Sequence, residues 1–198
     1  YFNVDVGVSG PNFSAAAVPS LKQFIRDLTR EVPSPMGGTV FEQWRVHNAS
    51  EEARRTTAAP PSSNPDEMRV GDLGSGSDYT PFLQHQGVPS TDVGSDGPYG
   101  VYHSTFDDYA WFTQNADPHF AYLQQMARVL GLEALRMADA DVLPYDYVAY
   151  AKEITGYLVA AKTKAKNAGL DSLNFAPAEA AAGRLTDAAQ RAHALETT

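Results

Sequence analysis

The segment PYGVYHS, residues 98–104, is the most informative stretch of this sequence for its fold and its chemistry. It overlaps the end of residues 90–100, which are rich in Gly, Ser and Asp and which we expect to form a loop. Catalytic and binding residues often lie on such loops, so His103 is a candidate metal ligand. A single histidine in this position is still more often structural, and the segment alone leaves both roles open.

A second candidate ligand lies near the start of the sequence. Residues 1–5, YFNVD, alternate apolar and polar side chains as a strand does, and Gly7 and Gly10 then break the pattern. Asp5 would end this strand, where an aspartate usually caps a turn but can also bind a metal. Because a natural protein rarely begins inside a strand, we expect this chain to be a piece of a longer one.

The segment LGSGSDY, residues 73–79, predicts a tight turn between a strand and a helix. A short strand is expected from Val70, and a helix is expected from Tyr79 to Gln86 with Ser77 or Asp78 as its cap. The turn lacks the lysine of a phosphate-binding loop. Taken alone, it therefore indicates a plain strand-to-helix turn.

Helical spacing of apolar residues predicts a helix from Val18 to Val32. The following residues, 33–69, are rich in Pro, Ser, Thr and Asn and predict a long surface loop. Residues 41–44, FEQW, are the only apolar anchor that the pattern suggests for this loop.

From Asp117 onward the sequence changes to a pattern of three helices. The first would be capped by Asp117 and begin at Pro118, and the second would run from about Tyr145 to Asn167. The third would run from about Ala178 to Leu195, with an apolar face made mostly of alanine. The change of pattern places a boundary near residue 142, between a mixed α/β part and a helical part.

The composition excludes several classes of function. The net charge of the 198 residues is -9, so a basic face for nucleic acid is not expected. There are no cysteines, which excludes disulfides and thiolate metal sites. The sequence contains neither the HExxH pair of a single-helix zinc site nor the GxSxG elbow of a serine hydrolase. No apolar run approaches the length needed to cross a bilayer.

Taken in order, these motifs resemble the glutamate carboxypeptidase II and transferrin receptor family of zinc aminopeptidase-like proteins. Residues 1–5 resemble the strand that ends in a zinc-binding aspartate, and residues 73–79 resemble the family's Leu-Gly-Ser-Gly-x-Asp turn. Residues 98–104 resemble the segment that carries the last zinc-binding histidine, and residues 138–150 resemble the entry to the helical dimerisation domain. The resemblance covers nearly the whole chain.

The resemblance implies a fold and a division into domains. Residues 1–142 would be the C-terminal portion of the zinc peptidase domain, an incomplete α/β domain with a mixed sheet and flanking helices. Residues 143–198 would be the first portion of the α-helical dimerisation domain. The parent protein would form a homodimer, and the family suggests that it is extracytoplasmic or secreted.

The resemblance also implies roles for individual residues. Asp5 would bind one zinc ion of a pair, and His103 would bind the other. Tyr102 would contact the substrate and donate its hydroxyl to the developing oxyanion. Separately from the resemblance, the closeness of Asp107 and Asp108 to His103 in the sequence suggests that one of them orients its imidazole. The substrate cleft would also be lined by the turn residues Ser75, Gly76 and Ser77.

The rest of the family's active site lies before the strand that opens this sequence. It consists of a histidine, a bridging aspartate, a glutamate ligand and a glutamate general base. We therefore expect this chain to be part of a di-zinc exopeptidase for peptides or dipeptides, to bind zinc weakly and not to hydrolyse peptides by itself. The alternative is a non-catalytic binding and dimerisation module like transferrin receptor, which the presence of both Asp5 and His103 disfavours.

One difference from glutamate carboxypeptidase II concerns substrate preference. Residues 87–94, GVPSTDVG, stand where that enzyme has an arginine patch, and they contain no arginine. Asp92 in this segment has the opposite charge. We therefore expect that the parent enzyme does not prefer acidic residues beside the scissile bond.

Overall fold

The computed structural model describes residues 1–54 and 68–196 of the chain. It divides into two compact units, Tyr1–Asp141 and the helices that follow from Val142. The division lies beside the boundary that the sequence suggests, but the assignment of the units to a peptidase and a dimerisation domain stays a prediction. No helix in the described part is both long enough and apolar enough to cross a membrane.

The first unit contains a three-stranded sheet. Its strands are β1 (Phe2–Asn3), β2 (Asn12–Ala17) and β3 (Thr91–Asp96), in the spatial order β1-β3-β2. The central strand β3 pairs in parallel with β1 and antiparallel with β2. The sheet is therefore mixed, which is compatible with the predicted α/β class.

The central strand lies where a loop was predicted for residues 90–100. Its sequence, TDVGSD, contains two aspartates and a glycine, which are rare in strands. The prediction is wrong because neighbouring strands on both sides pair with the backbone of β3, and Thr91, Val93 and Ser95 are buried. Long-range pairing here outweighs the low strand propensity of the residues.

The strand that opens the chain is shorter than predicted. β1 ends at Asn3, and Asp5 lies in the bend that follows it. The amide of Thr91 still donates to the carbonyl of Tyr1 at 3.0 Å, which ties the first residue to the central strand. The neighbouring strand β2 was not predicted, because three of its six residues are alanines with little strand preference.

Helix α1 (Lys22–Thr29) confirms the helix predicted over residues 18–32. A 3₁₀ turn at Pro19–Leu21 leads into it, and Pro19 fits this first turn because it has no amide hydrogen that needs a partner. The apolar stripe predicted from the spacing is buried. Its residues are Leu21, Phe24, Ile25 and Leu28.

Helix α2 (Val40–Arg54) replaces part of the long loop predicted for residues 33–69. Its start is a capping box in which Thr39 Oγ1 accepts from the amide of Glu42 at 3.2 Å, and Glu42 Oε2 accepts from the amide of Thr39 at 2.8 Å. This reciprocal pair is a sequence signal for a helix start, and the loop prediction overlooked it. Residues 55–67 of the predicted loop lie outside the described part.

The core of the first unit forms where α2 meets the sheet. Trp44 of α2 and Phe13 of β2 are each 2% exposed. Their rings meet edge to face, with centroids 5.1 Å apart. Phe41 and Trp44, which the sequence suggested as part of the anchor of a loop, are therefore on the buried face of a helix.

Two short helical segments follow in the first unit. Pro81–His85 is a π-helical turn inside the helix predicted for Tyr79–Gln86. Helix α3 (Tyr109–Trp111) runs directly into a second π-helical turn, Phe112–Ala116. These segments frame the loop that carries His103.

The predicted cap Asp117 bonds to the start of helix α4 (Ala121–Ala138), but the N-cap position itself is Phe120. The carboxylate of Asp117 is buried and accepts from the amides of Ala121 and Leu123, both at 2.8 Å. Pro118 lies in the turn before the helix, so α4 begins three residues later than predicted. α4 packs on α1 and on strands β1 and β3.

A buried carboxyl group sits between α4 and the sheet. Glu133 is fully buried, and its Oε1 accepts from the hydroxyl of Thr91 at 3.0 Å. Its Oε2 has no hydrogen-bond partner in the described part of the chain. Burial raises the pKa of Glu133 to about 7, although the Thr91 hydroxyl and the ammonium group of Tyr1 both favour the charged form.

The second unit contains two helices that pack against each other. They are α5 (Tyr147–Asn167) and α6 (Ala176–Glu196), which confirms the two helices predicted here. Asp146 caps α5 by accepting from the amide of Ala149 at 2.8 Å. Gly169 follows the end of α5 with a φ of 70°. The buried residues of the two helices are all alanines: Ala151, Ala165, Ala182 and Ala189.

Candidate functional site

A cleft of about 530 Å³ opens beside the central strand, and we call it the β3 cleft. Its walls come from β2 and β3 and from the loops that follow β1 and β3. Its polar side chains include three carboxylates and two tyrosine hydroxyls, those of Asp5, Asp92, Asp96, Tyr99 and Tyr102. The cleft therefore brings together a predicted metal ligand, Asp5, and the predicted catalytic residue, Tyr102.

The position of Asp5 depends on a glycine in the central strand. The loop after β1 crosses β3 at Gly94, where a Cβ atom would lie 2.9 Å from the carbonyl oxygen of Val6. The amide of Ser95 donates to that same oxygen at 3.1 Å, and the amide of Ser9 donates to the carbonyl of Ser95 at 2.7 Å. A larger residue at position 94 would push this loop, and Asp5 with it, away from the sheet.

Asn3 joins the opening strand to the two other parts of the site. Its side-chain amide donates to Ser77 Oγ and to Asp92 Oδ1, both at 2.9 Å. Asn3 is 4% exposed, so water competes little for these two bonds. The bonds hold the turn at residues 73–79 against the central strand.

The carboxyl group of Asp92 in the β3 cleft has a pKa that departs from its ordinary value. Burial raises the pKa of Asp92, the hydrogen bond from Asn3 lowers it, and the negative charge of Asp5 raises it again. The net result is a raised pKa. The Asp5 and Asp92 carboxyl groups are therefore close enough to repel each other.

Tyr102 and His103 form a stacked pair at the edge of the β3 cleft. Their ring centroids are 3.8 Å apart and the ring planes differ by 20°. Tyr102 lines the cleft and His103 does not, but the stacking keeps the imidazole beside it. The backbone of His103 has a φ of 59°, in the left-handed region that residues other than glycine rarely adopt.

Sequence comparison relates this chain to carboxypeptidases and aminopeptidases. It is 40% identical over 156 residues to a probable glutamate carboxypeptidase of Arabidopsis thaliana, which covers 78% of this chain and 21% of that relative. It is 31% identical over 160 residues to a probable glutamate carboxypeptidase of Zea mays, covering 80% and 20% respectively. It is 30% identical over 174 residues to the aminopeptidase NAALADL1 of Rattus norvegicus, covering 82% and 22%. No protein-family model matches the chain.

The chain belongs to the glutamate carboxypeptidase II and transferrin receptor family of zinc peptidases. The family resemblance inferred from the motifs is thereby confirmed. The chain spans about a fifth of the length of the curated relatives it matches.

The family resemblance assigns roles to several residues, and the structure places only some of them in the wall of the β3 cleft. Asp5 and Tyr102 line it, and His103 stacks on Tyr102. Ser77 is linked to it through the side chain of Asn3. The other two predicted substrate-binding residues, Ser75 and Gly76, are exposed and are not part of the cleft wall.

The described residues do not form a complete zinc site of the carboxypeptidase type. No three His, Cys, Asp or Glu residues within residues 1–54 and 68–196 lie close enough to hold a metal ion. Asp5 and His103 have side chains that suit zinc, but zinc sites in proteins use three or four protein ligands. These two residues fit a zinc centre only as parts of shells that other residues would complete.

The predicted orienting role of Asp107 or Asp108 finds no contact in the described part. The carboxylate of Asp108 accepts from the amide of Trp111 at 2.8 Å and so caps α3. No hydrogen bond joins either aspartate to His103 among the described residues. Asp108 has a structural role in the helix that follows the histidine loop.

Sequence analysis did not identify Asn3, Asp96 or Tyr99 as site residues. The alternation of residues 91–96 was the available signal for Asp96, because Asp92, Gly94 and Asp96 share one face of a strand. Tyr99 is fixed by a hydrogen bond from its hydroxyl to the carbonyl of Asn115 at 3.0 Å. That contact depends on the loop fold and has no local sequence signal.

Proposed function

We propose that this chain is part of a zinc-dependent exopeptidase that removes residues from peptides or cleaves dipeptides. The observation that carries the proposal is the shared cleft of Asp5 and Tyr102, to which the family resemblance assigns metal binding and catalysis. The names of the relatives, which are carboxypeptidases and an aminopeptidase, support peptide hydrolysis as the reaction class.

In this proposal, Asp5 and His103 each contribute one ligand to a different zinc ion of a pair. The remaining ligands and the general base would come from other parts of the parent protein. Bound zinc would supply an activated water and polarise the scissile carbonyl. The hydroxyl of Tyr102 would donate to the carbonyl oxygen, where negative charge is larger in the transition state than in the substrate.

The turn at residues 73–79 would contact the part of the substrate that extends out of the β3 cleft, since Ser75 and Gly76 are exposed and lie outside the cleft wall. Ser75, Gly76 and Ser77 offer hydroxyl and backbone groups for this purpose. Asn3 would couple this turn to the catalytic groups, because its side chain bonds to Ser77 and lies two residues before Asp5. A displaced turn would then weaken substrate binding without removing a catalytic group.

Replacing Tyr102 by phenylalanine in the full-length parent tests the catalytic assignment. We expect kcat to fall about 100-fold, as for the loss of one oxyanion donor, with little change in KM or in bound zinc. Tyr109→Phe is a matched control, because Tyr109 is also exposed and lies outside the β3 cleft. An unchanged kcat in Tyr102→Phe would contradict the assignment.

The 198-residue chain by itself should neither hydrolyse peptides nor bind zinc tightly. Two ligands on different ions cannot hold a zinc pair, and the described residues offer no group of three. Metal analysis after dialysis and an assay with mixed dipeptides would check this. Stoichiometric zinc or peptide hydrolysis would show that the chain carries a complete site.

The parent enzyme should not prefer acidic residues beside the scissile bond. Asp92, in the segment that replaces the arginine patch of glutamate carboxypeptidase II, lines the β3 cleft. A negative wall repels a substrate carboxylate. A preference for acidic over neutral dipeptides in steady-state assays of the parent would contradict this expectation.

The helical unit would take part in a homodimer of the parent protein. Its two helices bury only alanines in the described part, and they expose larger apolar residues such as Tyr157, Val159 and Leu185. Exposed apolar side chains can be covered by a partner, and a second copy forms a two-fold interface with one shared surface. Sedimentation of the parent would measure the expected dimer.

A further inference from the structure

One wall of the β3 cleft presents a carboxylate whose position is fixed by the fold. Asp92 lies on the central strand, where it is paired with Asn3 of β1 on one side and with Ala16 of β2 on the other. It lines the cleft on the same face of the strand as Gly94 and Asp96. Because the strand cannot shift without breaking two sets of backbone hydrogen bonds, the carboxylate is held rigidly in the wall.

The side chain of Asp92 is also oriented. Its Oδ1 accepts from the buried amide of Asn3 at 2.9 Å. Its Oδ2 receives no hydrogen bond from any residue in the described part. One oxygen is therefore used to fix the group, and the other is available to a ligand in the cleft.

The surroundings of Asp92 suit a cationic side chain. None of the described residues that line the β3 cleft is Lys, Arg or His, so the wall contains no cation that would neutralise the carboxylate. The aromatic rings of Tyr99 and Tyr102 line the same cleft. Aromatic faces pack against the methylene chain of a lysine or arginine and attract its charged end.

We propose that Asp92, oriented by Asn3, determines the specificity of the β3 cleft by accepting the side chain of a lysine or arginine of the substrate. The choice of a peptide as the substrate rests on the proposed function, whereas the preference for a cation rests on the cleft itself. Asp5 is reserved for metal in that function. Of the two other carboxylates in the cleft, Asp92 and Asp96, Asp92 is the one that the hydrogen bond from Asn3 orients.

The first experiment measures binding to the 198-residue chain by amide resonance shifts. The probes are Ala-Lys and Lys-Ala, each compared with the neutral partner in which glutamine replaces lysine. We expect shifts at the amides of residues 91–97, and about tenfold tighter binding of at least one lysine dipeptide, as for a charge-assisted hydrogen bond. Equal binding of the lysine and glutamine dipeptides would overturn the proposal.

Asp92→Asn isolates the charge from the geometry. Its side-chain carbonyl can still accept from Asn3, so the strand and the turn keep their contacts. We expect the variant to lose the preference for lysine. Asp139→Asn is the matched control, since it removes the same charge at an exposed position outside the cleft and should keep the preference. A preference that persists in Asp92→Asn, or that disappears in Asp139→Asn, would overturn the proposal.

The second experiment separates this inference from the proposed function. The full-length parent, with its metal, is assayed on the same four dipeptides and on Ala-Glu and Glu-Ala. A higher kcat/KM for a lysine dipeptide, reduced about tenfold by Asp92→Asn, is expected. Hydrolysis without a lysine preference would overturn the inference and leave the peptidase function standing. Lysine-selective binding without any hydrolysis would overturn the peptidase function and leave the cation site standing.

Discussion

The two units of this protein bury their side chains in different ways. The first unit encloses large residues such as Trp44, Ile25 and Leu28, each almost fully buried. The helices α5 and α6 of the second unit bury only alanines in the described part, while residues such as Tyr157 are exposed. Burial stabilises a fold roughly in proportion to the apolar area removed from water. Side-chain burial therefore stabilises the first unit, which has a core of large residues, more than it stabilises the contact between α5 and α6.

The largest expected effect comes from removing the side chain that anchors the first core. Trp44→Ala should lower the free energy of unfolding by about 4 kcal/mol, because a buried indole is lost and a cavity remains. Val46→Ala is the matched control on the exposed face of the same helix and should change it by less than about 0.5 kcal/mol. Urea unfolding followed by circular dichroism measures both. Equal effects would show that α2 does not pack on the sheet.

The next largest effect is a pH dependence of the stability of the first unit. The pKa of Glu133 is about 7 in the folded chain and 4.5 as its ordinary value, so its charged form disfavours folding. The stability linked to this group is complete below pH 4.5, falls as pH rises towards 7, and is constant above. The loss should be on the order of 3 kcal/mol.

Glu133→Gln checks this pH dependence. The variant cannot ionise at this position. Between pH 4.5 and 7, its unfolding free energy should therefore fall less than that of the unsubstituted chain, and the difference should be on the order of 3 kcal/mol. Comparing how the unfolding free energy of each protein changes with pH cancels the pH-independent cost of burying an amide at position 133. Parallel slopes for the two proteins would contradict the buried titration.

A smaller effect on the free energy of unfolding is expected from placing a larger side chain at a buried alanine of the helical unit. Ala151 is fully buried, and Ala151→Leu should cost about 1–3 kcal/mol because the helices must move apart. Amide hydrogen exchange should increase in α5 and α6, with little change in α1. Ala161→Leu, on an exposed position of α5, serves as the control and should leave exchange unchanged. Faster exchange in α1 alone would contradict the assignment of Ala151 to the helical unit.

The smallest effect on stability should come from the exposed apolar face of α6. In the 198-residue chain, Leu185→Ser combined with Leu195→Ser should change the unfolding free energy by less than about 0.5 kcal/mol. In the full-length parent, the same pair should weaken the proposed homodimer, which sedimentation velocity would detect. A parent dimer that is unaffected would place its interface elsewhere.

The helices could be predicted from the sequence, and the central strand could not. The spacing of apolar residues in α1, α5 and α6 is a local property that survives in the fold. β3 has two aspartates and a glycine, and it is a strand because segments far away in sequence pair with it. The helix α2 was missed for another reason, since the loop-like composition after it outweighed the capping box at Thr39 and Glu42.

The candidate site divides in the same way. Asp5, Tyr102 and His103 could be named because each sits in a short motif that resembles a family segment. Asn3 could not be assigned a role, because its partners Ser77 and Asp92 lie 74 and 89 residues away. Likewise, the cleft that unites Asp5 with Tyr102 depends on the loop crossing at Gly94, which no local pattern indicates.

The left-handed backbone at His103 has a consequence for how this protein could evolve in the laboratory. A φ of 59° suits glycine or asparagine, and any other residue there costs on the order of 1 kcal/mol. In a library selected only for heat resistance, glycine or asparagine should therefore replace the histidine. In a library of the parent selected for peptide hydrolysis, the histidine should be retained in spite of that cost.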